Sequence, residues 1–379
     1  MDIFAWYAAA PSPANGERMD FGHSAEETEF RNRVVEALTD PRVHDLIEQL
    51  SKTHDHEPDE RPLYRLLGEA GLLGVDWPTE YGGRGLSSAH LSIVSEELVR
   101  AGVPDTLFVN SVLTVGRLLL RAGTEEQKNR LLPGLARGEL FAGVLYTEAG
   151  SGSDLTGLET SATATPEGFS ISGTKVFGLK SGITDVGLCA ARTSADDKYG
   201  GITLFLVDMH APQVHVTALD GVPGERFHVV TLDGVPVTAA DIVGGLGNGW
   251  PVLVEALPLE RIGFDFSMRA ERWYEMALSA PDEPDSAVDR ARYAARVEAA
   301  RLLSWKASAT LDPVRTGIAK WYGSELAAEL AGWALRRHAP DIPPMVDAAY
   351  REAPGLLLSG GTSEMMLQTL AEHLPDAAD

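Results

Sequence analysis

The spacing of apolar residues changes twice along this chain of 379 residues. Up to about residue 139 apolar side chains recur every three or four positions, which is typical of amphipathic helices. Between about 140 and 245 they alternate or form short β-branched runs between Gly, Pro and Asp turns, a pattern that predicts strands. Helical spacing returns near Trp250. The sequence therefore predicts an α+β fold in which a small, mostly antiparallel β-domain separates two helical domains.

Four segments follow from these changes. Residues 1–24 lack periodicity and are expected to be a flexible tail, followed by an N-terminal helical domain at 25–139, a central β-domain at 140–245 and a C-terminal helical domain at 246–379. Ser24 and Glu27 form a capping-box pattern that predicts the first helix start. The other helices expected before the β-domain cover 62–72, 88–102, 107–121 and 124–137, and the polar stretch 51–62 is expected to be a connection.

The charge of the chain excludes several classes of partner. The chain contains 32 Lys and Arg residues and 55 Asp and Glu residues, which gives a formal charge of −23. Such an acidic surface repels phosphate backbones and anionic lipids, so neither nucleic acid nor a membrane surface is an expected partner. Cys189 is the sole cysteine and fits a reducing compartment. No apolar run reaches about eighteen residues, and the N-terminus lacks a signal-peptide pattern, so we expect a cytoplasmic protein.

The cluster His54, Asp55, His56 and Glu57 is the strongest metal-like pattern in the chain. It lies in a charged connection without a second ligand cluster, which is more typical of a solvated loop than of a metal site. We therefore expect no bound metal. The chain also lacks a Walker A sequence, a G-x-S-x-G motif and a strand-to-helix G-x-G-x-x-G motif.

The most informative stretch runs from Tyr146 to Asp154 and reads YTEAGSGSD. Its small residues allow the backbone to approach a flat or phosphorylated ligand, and Thr147 and Ser153 offer hydroxyl groups. Taken alone, the stretch is more often a simple Gly/Ser turn that begins a β-domain. Its sequence resembles the T-E-P-G-x-G-S-D stretch with which the acyl-CoA dehydrogenase family cradles FAD.

The resemblance covers nearly the whole chain after residue 24. Matching stretches lie in the same order at 71–87, 123–139, 169–177, 188–194, 247–250, 257–262, 297–303, 319–329 and 360–374. The resemblance implies a helical–β–helical fold, FAD as cofactor without a Rossmann motif, and oligomers in which FAD lies against a neighbouring subunit. It also implies an electron-transfer flavoprotein or a similar acceptor, and a place in lipid metabolism such as fatty acid or steroid catabolism.

The same resemblance implies a set of site residues. The expected cofactor contacts are Tyr146, Thr147, Ser153, Phe177, Leu179, Thr362 and Glu364, and the expected substrate contacts are Arg261, Ser153 and Gly360. The family usually bonds flavin N5 through a Thr two residues after an aromatic that covers the ring. Here the aromatic is Phe177 and the Thr position is Leu179, so only a backbone N–H could donate at this position.

Oxidation of an acyl thioester at its α and β carbons needs a base for the α proton and a hydride acceptor. Many family members carry the base immediately before the Gly-Thr-Ser sequence, where this chain has Gly360. Isovaleryl- and long-chain-type members carry it in Leu-x-x-Glu-Arg, which matches Leu257 to Arg261 and makes Glu260 the expected base. Apolar Leu257, Leu259 and Ile262 would favour a raised pKa of such a carboxyl. The alternative is an ordinary helix-surface ion pair.

Two further departures from the family concern contacts with a neighbour's FAD. The family's R-x-Q-F-G segment is missing between Arg261 and Val297, and residues 336–340 (RRHAP) replace a Gly-Gly turn. Arg336 and Arg337 could face diphosphate oxygens, although Arg pairs at helix ends are more often solvated. These losses favour a hetero-oligomer with a homologous subunit over a homo-oligomer. An acyl carrier protein could replace CoA, and the alternatives to an acyl-thioester dehydrogenase are a flavin monooxygenase on the same fold and a non-catalytic or FAD-sharing partner subunit.

Overall fold

A computed structural model gives the structure of the chain and describes residues 23–52, 57–194, 199–221, 226–281 and 286–373. The side chains of Lys52, Leu259, Glu260 and Ser286 lie outside this description. The expected tail, apart from its last two residues, also lies outside the described residues. Among the described helices, none is long and apolar enough to cross a membrane.

The first part of the chain is helical, as predicted. Its elements are α1 (Ala25–Leu38), α2 (Pro41–Lys52), α3 (Arg61–Glu69), α4 (Ser88–Ala101), a π-helical segment (Phe108–Gly116), α5 (Arg117–Ala122) and α6 (Glu125–Ala136). The capping box at Ser24 is confirmed, because its hydroxyl accepts from the Glu27 amide and the Glu27 carboxylate accepts from the Ser24 amide. Residues 51 and 52 belong to α2 and not to the connection in which the sequence analysis placed them.

The predicted β-domain is a single sheet. Its strands are β1 (Ala142–Leu145), β2 (Ser161–Thr165), β3 (Gly168–Leu179), β4 (Val186–Arg192), β5 (Ile202–Asp208), β6 (Val214–Leu219), β7 (Phe227–Val237) and β8 (Ile242–Val243). The order is β6-β7-β3-β2-β4-β5-β8, with β1 on β4. β1 and β2 pair with β4 in parallel, and the other pairs are antiparallel, so the mostly antiparallel prediction is confirmed.

A bulge near the end of β3 changes the direction of its side chains. Lys175 pairs with Val230 and Gly178 pairs with His228, so β3 has one residue more than β7 over this interval. An extra residue of this kind bends the strand and re-aims a side chain. Phe177 lies in the bulge with φ of +59°, and the residue is 56% exposed.

The C-terminal part is a helical bundle. It contains α7 (Gly249–Glu260), α8 (Phe264–Leu278), α9 (Ser286–Thr310), α10 (Pro313–His338), α11 (Pro344–Leu358) and α12 (Ser363–His373). α11 was not predicted, and it begins at a proline, which is favourable in the first turn of a helix. One apolar core joins the first helices to β1, β4, β5 and α7, and another fills the bundle. The predicted order of helices, sheet and helices is confirmed.

Candidate active site

The 147–154 loop leaves β1 and folds back in a tight turn. The Glu148 amide donates to the Ser151 carbonyl at 2.9 Å, and the Ser151 amide donates to the Glu148 carbonyl at 3.1 Å. Gly150 lies at the exposed tip, where an added Cβ would meet no atom within 4 Å. Ser153 is also exposed, whereas Thr147 is half-buried. The loop therefore presents an open, small-residue surface.

Glu148 anchors this loop to the sheet. Its carboxylate accepts from Lys175 Nζ at 2.7 Å, from the Thr160 amide at 2.9 Å and from the Glu159 amide at 2.7 Å. Burial opposes ionisation, but the bonds from Lys175, Thr160 and Glu159 prevail and lower the pKa of Glu148. The carboxylate is thus an ionised structural centre beneath the loop.

The β3 bulge lies beside the loop, because the Val176 amide donates to the Thr147 carbonyl at 2.9 Å. We use the name β wall for the 147–154 loop together with bulge residues 176–179. Leu179 is half-buried, and the exposed Phe177 ring contacts Phe227 edge-to-face with 6.0 Å between ring centroids. Tyr146 is buried behind the loop. An exposed aromatic ring beside an open glycine turn fits the flat ring system of FAD.

The end of α7 and the turn before α12 meet at Arg261, which directly follows α7. Its Nε donates to the Gly360 carbonyl at 2.7 Å. Gly360 and Gly361 have φ of +64° and +101°, and a Cβ on Gly361 would lie 3.0 Å from Arg261 Nη2. We use the name helical wall for residues 257–261 together with the 360–362 turn. The structure therefore brings together the two chain positions at which the sequence analysis looked for a base.

Glu260 is the last residue of α7, immediately before Arg261. Its side chain lies outside the described part of the chain, as does that of Leu259. Of the apolar neighbours expected around it, Ile262 is buried and Leu257 is half-buried. The backbone at position 260 is thus adjacent to the Arg261–Gly360 contact.

Thr362 and Glu364 begin α12. Thr362 Oγ1 accepts from the Met365 amide at 3.2 Å, which is a capping contact. Glu364 is exposed, and hydrogen bonds from its own amide and from the Thr362 hydroxyl lower the pKa of its carboxyl. Both residues therefore stabilise the start of a helix that follows the 360–362 turn directly.

Two ionisable residues near the helical wall, the buried Lys320 and the half-buried Asp265, were not predicted as part of the site. Lys320 is fully buried, with Nζ 5.4 Å from the Phe266 ring centroid, and burial lowers its pKa to about 8 while Asp265 opposes this shift. Burial raises the pKa of Asp265 to about 7, against the attraction of Arg269. The charge of Arg261 also lowers the pKa of Lys320, and the charge of Glu364 raises it. The available signal was a charged residue inside an apolar stretch, as in GFDFSM and GIAKWY.

Arg337 does not reach outward as a cofactor ligand would. Its Nε donates to the Ala277 carbonyl at 2.8 Å, and its guanidinium lies 5.2 Å from the Trp333 ring centroid. His338 Nε2 is 2.9 Å from the Met276 carbonyl. Arg337 therefore binds a backbone carbonyl in the last turn of α8, while Arg336 is exposed.

The expectation of a solvated loop at 54–57 is wrong for Glu57. Its side chain is only 10% exposed, and its Oε2 lies 3.0 Å from His228 Nε2. His54, Asp55 and His56 lie outside the described residues. Within the described ranges, no group of three or more His, Cys, Asp or Glu side chains could hold a metal.

Comparison with known proteins decides the family. The models "Acyl-CoA dehydrogenase, N-terminal domain", "middle domain" and "C-terminal domain" match residues 24–139, 143–235 and 247–374. The chain belongs to the acyl-CoA dehydrogenase family. Its members are FAD flavoproteins that dehydrogenate acyl-CoA.

Three similar proteins of this family are informative. Acyl-CoA dehydrogenase FadE26 of Mycobacterium tuberculosis is 28% identical over 335 residues, which cover 79% of this chain and 83% of that protein. The structure of the "Tcur3481-Tcur3483 steroid ACAD" has a TM-score of 0.83 and 26% identity, covering 94% of this chain and all of that one. The ChsE4-ChsE5 complex from Mycobacterium tuberculosis has a TM-score of 0.79 and 25% identity, covering 95% of this chain and all of that one.

Proposed function

We propose that the chain catalyses FAD-dependent α,β-dehydrogenation of an acyl thioester, with Glu260 as the base that removes the α proton. The observation that carries this proposal is the bond from Arg261 Nε to the Gly360 carbonyl at 2.7 Å. It holds the end of α7 against the turn where many family members carry their base. A carboxylate at position 260 could therefore remove the α proton in place of a base at position 360. Gly360, which has no side chain, would leave room for the acyl group.

The surroundings of position 260 suit a general base. Ile262 is buried, and Lys320 and Asp265 nearby have pKa values that burial moves towards neutrality. Groups with shifted pKa values cluster at functional sites, which supports a proton-transfer role for this region. Arg261 keeps the end of α7 in place while the proton moves.

The β wall is the proposed place of the cofactor. Thr147 and Ser153 would bond the ring system or its linked chain, Phe177 would pack against the ring, and the Leu179 amide would donate to it. When bound, FAD supplies the hydride acceptor for the β carbon. Tyr146, Thr362 and Glu364 would complete the cofactor contacts, and Ser153, Arg261 and Gly360 would contact the thioester.

The proposed substrate is a lipid-derived acyl group carried by CoA or by an acyl carrier protein. Similarity to a protein named steroid ACAD favours a fatty acid or steroid side chain. An electron-transfer flavoprotein or a similar acceptor would reoxidise the flavin.

We also propose that the active form is a hetero-oligomer with a homologous subunit, in which this chain can share a partner's FAD. Arg337, which could have replaced the lost Gly-Gly turn, is engaged with the end of α8. A homo-oligomer would leave each site without the contacts that this turn normally supplies. Similarity to the ChsE4-ChsE5 complex and the Tcur3481-Tcur3483 protein supports a two-chain assembly.

The experiment is to purify the chain alone and together with a homologue encoded beside its gene, and to determine mass and flavin content for each. We expect fewer than one FAD per chain, held only in the two-chain assembly. A stable homo-oligomer with one tightly bound FAD per chain would overturn the hetero-oligomer and would place Arg336 back among the possible cofactor contacts.

A further inference from the structure

A buried ion pair and a buried carboxylate–imidazole pair lie beneath the β3 bulge, and both carboxylates come from the short segment before α3. Glu57 Oε2 is 3.0 Å from His228 Nε2, with side chains 10% and 4% exposed. Glu60 Oε1 accepts from Lys180 Nζ at 2.6 Å, with side chains 1% and 4% exposed. The N-terminal helical part of the chain thus contacts the bulge from behind through charged groups.

His228 links one of these pairs to the backbone of the bulge. Its Nδ1 is 3.2 Å from the Gly178 carbonyl, while its Nε2 faces the Glu57 carboxylate. The ring thus contacts the Glu57 side chain on one edge and the backbone of the bulge on the other. The Gly178 carbonyl belongs to the peptide that carries the Leu179 amide, so this contact fixes the orientation of that amide, one residue after Phe177.

Lys180 holds the other side of the bulge. It has φ of +58°, a conformation that residues other than glycine rarely adopt. Its bond to Glu60 and the bond of His228 to Gly178 lie on either side of Leu179. From the same segment Arg61 Nη2 donates to the Ile183 carbonyl at 2.7 Å, which adds a third anchor after Lys180.

The space around these pairs is filled. A Cβ on Gly182 would lie 2.6 Å from Glu57 Oε2 and 3.3 Å from His228 Nε2, so even alanine would press on the first pair. Burying ion pairs carries a desolvation penalty, and buried pairs are best attested where they specify one conformation. Phe177 and Lys180 both have positive φ angles, and two buried pairs beneath them are well placed to hold this backbone conformation.

We propose that Glu57, Glu60, Lys180 and His228 are positioning residues that hold Phe177 and the Leu179 amide in the orientation required for the flavin ring. This inference rests on the proposed cofactor site at the β wall. The 57–61 segment lies outside the β wall, and in this proposal its side chains determine the backbone conformation of bulge residues 176–179.

The test uses His228→Gln, which can donate from only one nitrogen, and Lys180→Met, which keeps length but loses the ammonium group. Lys180→Arg keeps the charge and serves as the conservative variant. Arg117→Met is the matched control, because it breaks another poorly exposed ion pair, Arg117–Asp76, which joins α5 to the segment after α3. Each protein is measured in the assembly in which the wild type binds FAD, and also without FAD.

Two measurements are made. In flavin-free protein, hydrogen–deuterium exchange of residues 174–184 should become at least about tenfold faster in His228→Gln and Lys180→Met and stay unchanged in Arg117→Met. In the assembly, the FAD dissociation constant should rise about tenfold in the same two variants, with an altered flavin absorption spectrum. Lys180→Arg should recover part of both losses.

Exchange at 174–184 equal to that of the wild type would overturn the inference. Faster exchange with unchanged FAD affinity and spectrum would also overturn it, since the pairs would then serve folding alone. If the wild type binds no FAD in any assembly, the proposed function fails instead, and the exchange measurement still decides whether these pairs hold the bulge.

Discussion

The β wall of the candidate active site is held by charged groups with well-placed partners, whereas the helical wall lies among ionisable groups that burial pushes towards their neutral forms. Glu148 beneath the β wall keeps a lowered pKa because Lys175 and two backbone amides outweigh its burial. Near the helical wall, burial raises the pKa of Asp265 to about 7 and lowers that of Lys320 to about 8. The first arrangement favours a rigid support for a cofactor, and the second favours proton transfer near neutral pH.

This difference agrees with the way the chain departs from its family. On the β wall, Ala149 stands where the family stretch has Pro, and Leu179 stands where it has the Thr, so a backbone amide remains at that position. On the helical wall, the base position at 360 is a glycine, and the contact from Arg261 joins that turn to the end of α7. These departures agree with the proposal of a cofactor site at the β wall and of a base at position 260.

The largest effect is expected at Glu260. Glu260→Gln keeps the shape of the side chain and removes its basicity, so turnover of an acyl-CoA should fall at least about a hundredfold while FAD stays bound. Glu255→Gln is the control, because Glu255 lies on the same helix but pairs with Arg121 at an exposed site. Steady-state rates and flavin absorbance provide both readouts. Activity of Glu260→Gln within a few-fold of the wild type would show that the base lies elsewhere.

A smaller effect is expected on the β wall. Thr147→Val combined with Ser153→Ala removes two hydroxyls and should lower FAD affinity about tenfold, since each lost hydrogen bond weakens binding by about 0.5–1.5 kcal/mol. Ser161→Ala combined with Thr163→Val changes the same residue types on the exposed face of β2 and should leave affinity unchanged. Equilibrium dialysis of FAD measures both. Equal affinity in the two double variants would mean that the cofactor lies elsewhere.

The last prediction concerns how the free energy of unfolding depends on pH. Folded Asp265 keeps a proton that the unfolded chain releases between about pH 4 and 7, so its contribution to stability falls as pH rises through this window. Lys320 acts in the opposite sense, because the unfolded chain binds the extra proton between about pH 8 and 10.5, and stability rises with pH there. In each window the free energy of unfolding changes by at most about 1.4 kcal/mol per pH unit.

Urea unfolding of flavin-free protein at several pH values checks these two windows. Asp265→Asn should remove the decrease in the free energy of unfolding below about pH 7. Lys320→Met should remove its increase above about pH 8. A profile for either variant that runs parallel to that of the wild type would show that the residue is not a buried titrating group, and the contrast between the two walls would lose its electrostatic basis.

Local sequence patterns were sufficient for most of the fold. The capping box at Ser24 and the short apolar run of β5 depend on neighbours a few residues apart, so both can be recognised from the local sequence. α11 escaped prediction because prolines at its start and within it, at Pro344 and Pro354, interrupt the helical pattern. Its stability comes instead from packing of Ala349 and Leu356 in the bundle core.

The site was harder to foresee than the fold. Family motifs placed residues on both walls, and their roles remain predictions. The contact between Arg261 and Gly360 and the pair between Glu57 and His228 join positions far apart in sequence, so no local pattern announces them. Glu57 illustrates the reason, since in a charged stretch nothing distinguishes a solvated carboxylate from one that the fold will bury.

The most direct test of the account is an anaerobic titration of the flavin-containing wild-type assembly with an acyl-CoA, followed by flavin absorbance. The account predicts that the acyl-CoA alone bleaches the flavin, and that the Glu260→Gln assembly carries the same flavin but bleaches at least about a hundredfold more slowly. Bleaching by NAD(P)H and not by any acyl thioester would contradict it in favour of a monooxygenase, and equally fast bleaching of both assemblies would show that Glu260 is not the base.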